Sequence, residues 1–251
     1  MNHEIKLIED LSLNAWPSHQ MQIYDSWILR FSYFYTHRTN SVEQLGPSTL
    51  PLAEKIAYCE SIYRDWGTPC IFKINPFQVP DFDEILSRRH YEIEHTTDVM
   101  TLKIPSQIQP VSSVPVQLEA VIRPEWIFSL FDLKEMTNEI HRQIVPSMYR
   151  AIPKRTIAAH IEDQGRYVAT GLGILDRDYI GIYAIHVDPS YRRQHFARAI
   201  CQHLLLQGQK QGAKKAYLQV VQGNTPARTL YEHLGFQQLY TYWFRVSPDY
   251  I

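Results

Sequence analysis

The chain has few of the features that mark a secreted or membrane-spanning protein. Its 251 residues include only three cysteines, and no two of them form a CxxC pair: Cys59, Cys70 and Cys201. An odd number of widely spaced cysteines favours a reducing compartment, so we expect a cytoplasmic protein with buried thiols. No apolar run approaches the roughly 20 residues of a membrane span. The N-terminus lacks the basic start and the apolar core of a signal peptide.

An excess of one charge and the common catalytic motifs are also lacking. The chain carries 25 lysines and arginines against 26 acidic residues, so no strong field favours nucleic acid or an anionic membrane as a partner. Its eleven histidines show no HExxH or other metal-ligand spacing, and we expect no metal. The absence of GxGxxG, GxxxxGKS/T and GxSxG argues against dehydrogenases, P-loop NTPases and serine hydrolases.

What the sequence does contain is a strand, a basic turn and a helix in succession. The apolar run at 180–187 predicts a strand that ends before Pro189, which cannot donate to a ladder. A basic turn follows at 191–194. The next segment places apolar side chains on one face of a helix: Phe196, Ile200, Leu204 and Leu205. Free turn amides and the positive end of the helix dipole predict an anion site. An ordinary connection with two solvated arginines is the alternative.

A second motif follows on the neighbouring strand and helix. Residues 214–221 predict a strand, and a helix follows with Pro226 in its first turn and Gly235 at its end. Asn224 and Tyr231 therefore lie on the helix that follows this strand. Both side chains are expected at the crevice where the two strands end.

Together these motifs resemble the acetyl-CoA-binding core of the GNAT superfamily of N-acetyltransferases. The matching segments are VDPxYRRxHFA and LxVxxxNxxAxxLYExLGF, and by element order the resemblance covers residues 115–247. It implies an α/β (α+β) GNAT fold, with a mixed twisted sheet flanked by helices. It also implies acetyl-CoA as co-substrate and transfer of the acetyl group to a primary amine of a small molecule, an amino acid or a protein.

The resemblance also implies which residues form the site. Main-chain N–H groups of the turn wrap the CoA pyrophosphate, and the matching residues are Arg192, Arg193, Gln194, His195, Phe196 and Ala197. The edge of the preceding strand bonds the pantetheine arm at Ile185, His186 and Val187. Asn224 lines the cofactor cleft. The phenol of Tyr231 matches the group that protonates the departing thiolate, and it is the residue to which we assign a chemical role.

Two histidines in this region have alternative interpretations. His195 replaces the first glycine of the turn, where glycine lets the backbone approach a phosphate closely. It either donates its own N–H to the phosphate or crowds the site. His186 is a candidate general base with an ordinary pKa near 6.5. Strand alternation places it opposite Ile185 and Val187, where a satisfied structural histidine is the alternative.

The chain divides at a segment rich in proline, serine and glutamine, which predicts a linker at 105–115. After it we predict a strand at 116–120, helices at 125–133 and 134–149, a hairpin of 156–162 with 167–175, and a last strand at 238–246. Before it we predict strands at 27–34, 69–74 and 94–104 and helices at 52–66 and 81–89.

Residues 1–104 thus form a degenerate, cofactor-free GNAT-like lobe, or an unrelated α/β extension, and residues 116–251 form the acetyl-CoA-binding domain.

A polar cluster in the first half is a candidate acceptor site. Arg38 can reach a carboxylate of the acceptor with paired N–H groups, and Asn40 can bond substrate or backbone. A turn with a surface arginine is the alternative. Three functions remain open: an N-acetyltransferase, an enzyme that uses a longer acyl-CoA, or an acyl-CoA-binding or interaction module without turnover. The sequence is compatible with an oligomer.

Overall fold

The structure is a computed structural model that describes residues 2–109 and 114–248. The first half contains α1 (Asn2–Ala15), β1 (Gln20–Tyr24), β2 (Trp27–Phe31), β3 (Val42–Gln44), α2 (Leu52–Asp65), β4 (Ile71–Ile74), α3 (Phe82–Arg88) and β5 (Glu92–Lys103). The second half contains β6 (Gln117–Glu119), α4 (Pro124–Leu133), α5 (Glu139–Arg150), β7 (Arg155–Asp163), β8 (Arg166–Asp176), β9 (Tyr179–Val187), α6 (Phe196–Lys210), β10 (Lys215–Val221), α7 (Thr225–His233) and β11 (Gln237–Val246). None of the helices among the described residues has the length and apolar character of a membrane span.

The strands of the described residues all join one sheet. The sheet is mixed, as predicted. The sheet has eleven strands in the order β1-β2-β3-β4-β11-β5-β10-β9-β8-β7-β6. Two pairs, β3 with β4 and β9 with β10, are parallel. In the second half, α6 packs on one face through a core that includes Ile200 and Leu204, whereas α4 and α5 pack on the other through Trp126 and Met148. This arrangement confirms the GNAT fold.

The two halves repeat one plan and exchange their last strands. Both contain two antiparallel strands, a third strand, a helix, a strand, a helix and a final strand, so the tandem GNAT-like interpretation is confirmed. The final strand of the first half, β5, pairs with β10 of the second half. The final strand of the second half, β11, lies between β4 and β5. Each half therefore completes the sheet of the other, although the predicted division separates them at 105–115. Residues 110–113 of that segment lie outside the described residues.

Three element predictions are corrected by backbone geometry. The helix predicted at 134–149 begins at Glu139, because Glu135 has a φ of 53° and the side chain of Asn138 accepts a hydrogen bond from the His141 amide. The strand predicted at 27–34 ends at Phe31, because the next residues turn through positive φ angles. Helix α1 was not predicted, although Ile5, Ile8, Leu11 and Ala15 are buried at helical spacing.

Close contact between α6 and the sheet requires a glycine at position 171. A Cβ atom there would lie 2.3 Å from Cγ2 of Ile200 and 2.8 Å from Cδ1 of Ile185. Overpacking of this kind costs about 1–3 kcal/mol, so Gly171→Ala is expected to lower the free energy of unfolding by that amount in denaturant titrations. Gly46→Ala is the matched control, because its added Cβ would meet no atom closer than 3.9 Å. Equal stabilities of the two variants would contradict the packing argument.

Candidate active site

The site begins where β9 and β10 separate. The two strands pair in parallel from Tyr179 with Lys215 to Ile182 with Leu218, and beyond this point β9 pairs only with β8. The separation coincides with a bulge in the β8–β9 ladder at Ala184, whose φ is 51°. A bulge bends its strand and redirects the following side chains. The β10-facing edge of β9 at 183–187 is thus available to an extended ligand.

The turn after β9 has the backbone shape that its motif predicts. His195 has a φ of 63° and a ψ of 12°, in the left-handed region that glycine adopts without strain. The residue is exposed to solvent. Histidine is enriched in this conformation relative to most side chains. The replacement of glycine by histidine therefore preserves the left-handed turn.

The amides of this turn point to no acceptor of the chain itself. In the described ranges, the N–H groups of residues 193–198 form no hydrogen bond, and α6 begins at Phe196. Hydrogen bonds fix the residues just before the turn. The Asp188 carboxylate accepts from the Ser190 amide at 2.8 Å and from Arg166 at 2.8 Å. The phenol of Tyr191 donates to Asp163. Arg192 and Arg193 are exposed beside these amides, which is the arrangement that binds an anion.

The second motif contributes a helix cap and a buried phenol. The Asn224 side chain accepts from the Ala227 amide at 3.3 Å, so this residue caps α7 at the open end of β10. Tyr231 packs in the core that also contains Ile185, Val187 and Cys201. Burial raises the pKa of the Tyr231 phenol, and Cys201 adds to the rise. The phenol is therefore protonated at neutral pH, and its hydroxyl has no hydrogen-bond partner among the described residues.

The matching position in the first half is filled by a carboxylate of the chain. Asp25 accepts from the amides of Thr49 and Leu50 at 2.9 and 3.0 Å, just before α2 begins. Lys55 lies 3.2 Å from the same carboxylate. The amide donors, that of Leu50 foremost, lower the pKa of Asp25, and Lys55 adds to this effect. A fixed internal anion thus occupies the helix entrance that corresponds to the turn before α6.

A cavity of about 270 Å³ lies between the halves, beside the point where β9 and β10 separate. It is lined by Tyr183, Ala184 and His186 of β9, by Gln219 of β10, and by Arg38 of the first half. His186 faces this cavity, and burial, with Lys134 and Arg192 nearby, lowers its pKa to about 4. Its imidazole is consequently neutral at pH 7. Because His186 lines the cavity, it is not a structural histidine packed in the core. Because its pKa is low, it is not a strong base.

Arg38 and Asn40 have different positions. Arg38 is half-buried, lines the cavity and donates from Nε to the Tyr242 hydroxyl at 3.0 Å, so it is not a surface residue of a turn. Asn40 is fully buried. Its side chain accepts from the amides of Ser32 and Phe34 and donates to the carbonyl of Thr36. Of the two roles considered for Asn40, the structure supports bonding to the backbone and excludes contact with a substrate.

Sequence reasoning did not identify Lys134, Gln219 or Tyr242 as site residues. Lys134 follows α4 and lines the cavity together with Gln219 of β10. Tyr242 of β11 lies behind the cavity wall, where its hydroxyl joins Arg38 to Gln219. No local motif marks them. Their position depends on which strands are neighbours, which the sequence motifs did not predict.

Comparisons with known proteins support this assignment of the fold. The profile of the family described as "Probable histone acetyltransferase Rv0428c C-terminal" matches residues 2–244. The chain is 24% identical over 247 residues to the "Uncharacterized N-acetyltransferase YobR" of Bacillus subtilis (strain 168), covering 97% of this chain and 99% of that protein. It is 32% identical over 85 residues to the "[Ribosomal protein bS18]-alanine N-acetyltransferase" of Escherichia coli (strain K12), covering 34% of this chain and 57% of the relative.

Solved structures show the same architecture. A GCN5-related N-acetyltransferase from Kribbella flavida aligns with a TM-score of 0.70 at 15% identity, over 98% of this chain and 95% of that one. A tandem GNAT protein from the clavulanic acid biosynthesis pathway aligns with a TM-score of 0.62 at 10% identity, over 83% of this chain and 76% of that one. At these identities the likeness shows the fold alone.

Proposed function

Because the chain belongs to the Rv0428c C-terminal family of GNAT N-acetyltransferases, and is therefore an acyltransferase, we propose that it transfers an acetyl group from acetyl-CoA to a primary amine. One observation supports acetyl-CoA as the donor. The separated edge of β9 and the left-handed turn at 193–195 lie next to each other at the start of α6. This pairing offers main-chain groups to an extended pantetheine arm and N–H groups to a diphosphate.

In the proposed reaction the protein mainly positions the acyl-CoA and the amine, and it forms no covalent intermediate with either. Residues 193–198 hold the diphosphate with their free amides, and residues 185–187 hold the pantetheine arm along the edge of β9. The acetyl group is then directed toward the cavity between the halves. Bringing the amine and the thioester together in this way supplies much of the rate enhancement, since it removes the entropy cost of their encounter.

Two proton transfers complete the proposed reaction. The amine attacks the carbonyl carbon, the carbon–sulfur bond breaks, and the departing thiolate takes a proton from the phenol of Tyr231. The new amide nitrogen loses one proton to water, and the phenolate regains one from water. The raised pKa of this buried phenol keeps the proton in place until the thiolate forms. The amine must arrive without its proton or lose it to water. Neutral His186 faces the cavity and can accept a hydrogen bond from the attacking nitrogen.

The first half is proposed to bind no acyl-CoA. The support is the Asp25 carboxylate, which already occupies the amides before α2. We therefore expect isothermal titration calorimetry to give one acetyl-CoA per chain. At a hundredfold excess over the dissociation constant, the ligand should stabilise the folded chain by about 2.7 kcal/mol. A stoichiometry of two would contradict the proposed division of roles between the halves.

The left-handed turn gives a sharp test of acetyl-CoA binding. Proline fixes φ near −65° and removes the N–H, so His195→Pro is incompatible with the observed φ of 63°. We expect this variant to lose at least about a hundredfold in acetyl-CoA affinity, since a left-handed site excludes proline. His195→Gly is the matched control and should bind within about threefold of the natural chain, because glycine adopts this φ freely. Equal binding by both variants would remove the turn from the proposed site.

A cytoplasmic location is proposed from the cysteines. All three thiols are free and buried. Burial raises the pKa of Cys59 and of Cys201 to about 12, so neither is a reactive thiolate at neutral pH. Unpaired, unreactive cysteines fit a reducing compartment.

A further inference from the structure

The cavity between the halves has the size and position of an acceptor site. Its volume of about 270 Å³ is slightly below the range of about 300–1,000 Å³ for pockets that hold drug-sized ligands. Tyr183, Ala184 and His186 on one wall come from the strand that is proposed to hold the pantetheine arm. An amine in this cavity would lie next to the acetyl group. The volume favours a small acceptor over a folded protein surface.

Three charged residues that line the cavity, Arg30, Glu43 and Lys73, are neutralised together with Glu9 behind them. Lys73 lies 2.7 Å from Glu9 and 3.2 Å from Glu43. Arg30 lies 3.4 Å from the other oxygen of Glu43. All four side chains are buried, and together they comprise two cations and two carboxylates. Buried charges are tolerated when they are paired in this way, so this cluster leaves no charge for a ligand.

Two other cations at the cavity lack a carboxylate partner. Arg38 is half-buried, and its only side-chain hydrogen bond among the described residues is the one from Nε to the Tyr242 hydroxyl. That hydroxyl in turn donates to Gln219 at 3.0 Å, which fixes the guanidinium in place. Lys134 donates to the Tyr35 hydroxyl at 3.1 Å and forms no ion pair within the described ranges. Both terminal nitrogens of Arg38 therefore remain available for a planar, bidentate anion.

Two groups that line the cavity, Arg38 and His186, have shifted pKa values. Burial would by itself lower the pKa of Arg38, but the phenols of Tyr242 and Tyr183 raise it overall. The guanidinium therefore stays charged without a carboxylate. The lowered pKa of His186 has Lys134 and Arg192 among its causes, after burial. Lys134 and Arg192 are thus close enough to His186 to disfavour its protonated form.

Resting on the acetyltransferase function proposed above, we infer that the acceptor is a small amine that also carries a carboxylate, which Arg38 and Lys134 bind. The uncompensated guanidinium supplies a fork for the two carboxylate oxygens, and the cavity volume accommodates a molecule the size of an amino acid. An Arg–carboxylate pair is both directional and strong. It would hold the amine at a fixed distance from Ala184 and His186.

The same charges act on the amine itself. A cationic surrounding disfavours the ammonium form and lowers the pKa of the bound amine. The nucleophile is then formed without a dedicated carboxylate base. A lysine-rich peptide should bind poorly, because several positive charges would approach Arg38 and Lys134 together. The carboxylate of the inferred acceptor offsets this repulsion.

The test compares acceptors that differ only in their carboxylate. Free-thiol release from acetyl-CoA is measured with the proteinogenic amino acids, with their carboxamides and with a lysine-rich peptide. We expect at least one amino acid to exceed its own carboxamide in kcat/KM by at least about tenfold, and the lysine-rich peptide to be poorer than both. In Arg38→Gln, the ratio of acid to amide should fall to within about threefold of unity through a rise in KM. Lys134→Gln should give a smaller fall, since Lys134 is exposed.

Each outcome supports or overturns the inference. Arg123→Gln is the matched control, because Arg123 pairs with Glu119 on the surface and does not line the cavity. It should retain the natural ratio. If Arg38→Gln does not fold, the acid-to-amide ratios of the natural chain and of Lys134→Gln decide the question. Carboxamides equal to acids, or bound acetyl-CoA with no amino acid turned over, would overturn the acceptor class alone. Absence of acetyl-CoA binding would overturn the proposed function as well.

Discussion

Tyr231→Phe should abolish most of the turnover and leave acetyl-CoA binding intact. The substitution removes only the hydroxyl that is proposed to protonate the thiolate, and general-acid catalysis of this kind contributes about 10²- to 10⁴-fold in rate. The ring still fills its place beside Phe236 in the core. We therefore expect kcat to fall by about that factor in steady-state assays of thiol release. The dissociation constant of acetyl-CoA should change by less than about threefold, because the substitution removes no interaction that is equally strong in the ground state and the transition state.

Tyr24→Phe is the control for this substitution. Tyr24 lies in β1 of the first half, where it stacks on Tyr58 and is remote from the acyl-CoA turn in the sheet order. Its loss of a hydroxyl should leave kcat unchanged. If Tyr231→Phe retained full turnover, another group or water would have to protonate the thiolate. A natural chain that binds acetyl-CoA but releases no thiol with any amine would instead be a binding module.

A fragment of residues 105–251 is expected not to fold alone, although it contains both sequence motifs. Strand β10 would lose its antiparallel partner β5 along all seven of its residues, from Lys215 with Lys103 to Val221 with Thr97. Strand β11 would lose both of its neighbours, β4 and β5. Long unpaired edges expose unsatisfied backbone groups and promote aggregation. Circular dichroism should therefore show no cooperative thermal transition for this fragment.

Co-expression of the two fragments provides the control. Residues 1–104 supply β4 and β5, so a complex of 1–104 with 105–251 can rebuild the exchanged strands without a covalent link. We expect the two fragments to co-purify and to recover a cooperative transition and acetyl-CoA binding. If the fragment 105–251 folded and bound acetyl-CoA by itself, the strand exchange would be dispensable. The predicted domain boundary would then also be a boundary of independent folding.

The anion-binding half of the site follows from local patterns. A strand that ends at a proline, a basic turn and an amphipathic helix are consecutive in the chain, so their spatial relation needs no long-range contact. This is why the strand at β9 and the helix at α6 were predictable. The conformation of His195 was not predictable from these patterns. The motif indicates that His195 stands at the position of a glycine, but only the backbone shows that it adopts the left-handed conformation of that glycine.

The sequence by itself determined the superfamily, the acyl-CoA motifs and the repetition of one plan in two halves. The tertiary structure alone decided that the halves exchange strands and that Arg38 and Lys134 face one cavity, where neither has a carboxylate partner among the described residues. The physical reason is the range of the interactions. Turns and helix faces are set by residues a few positions apart. The exchanged strands pair residues more than a hundred positions apart, and the buried ion pairs join separate elements of the first half. The choice among such partners is made by packing of the whole chain.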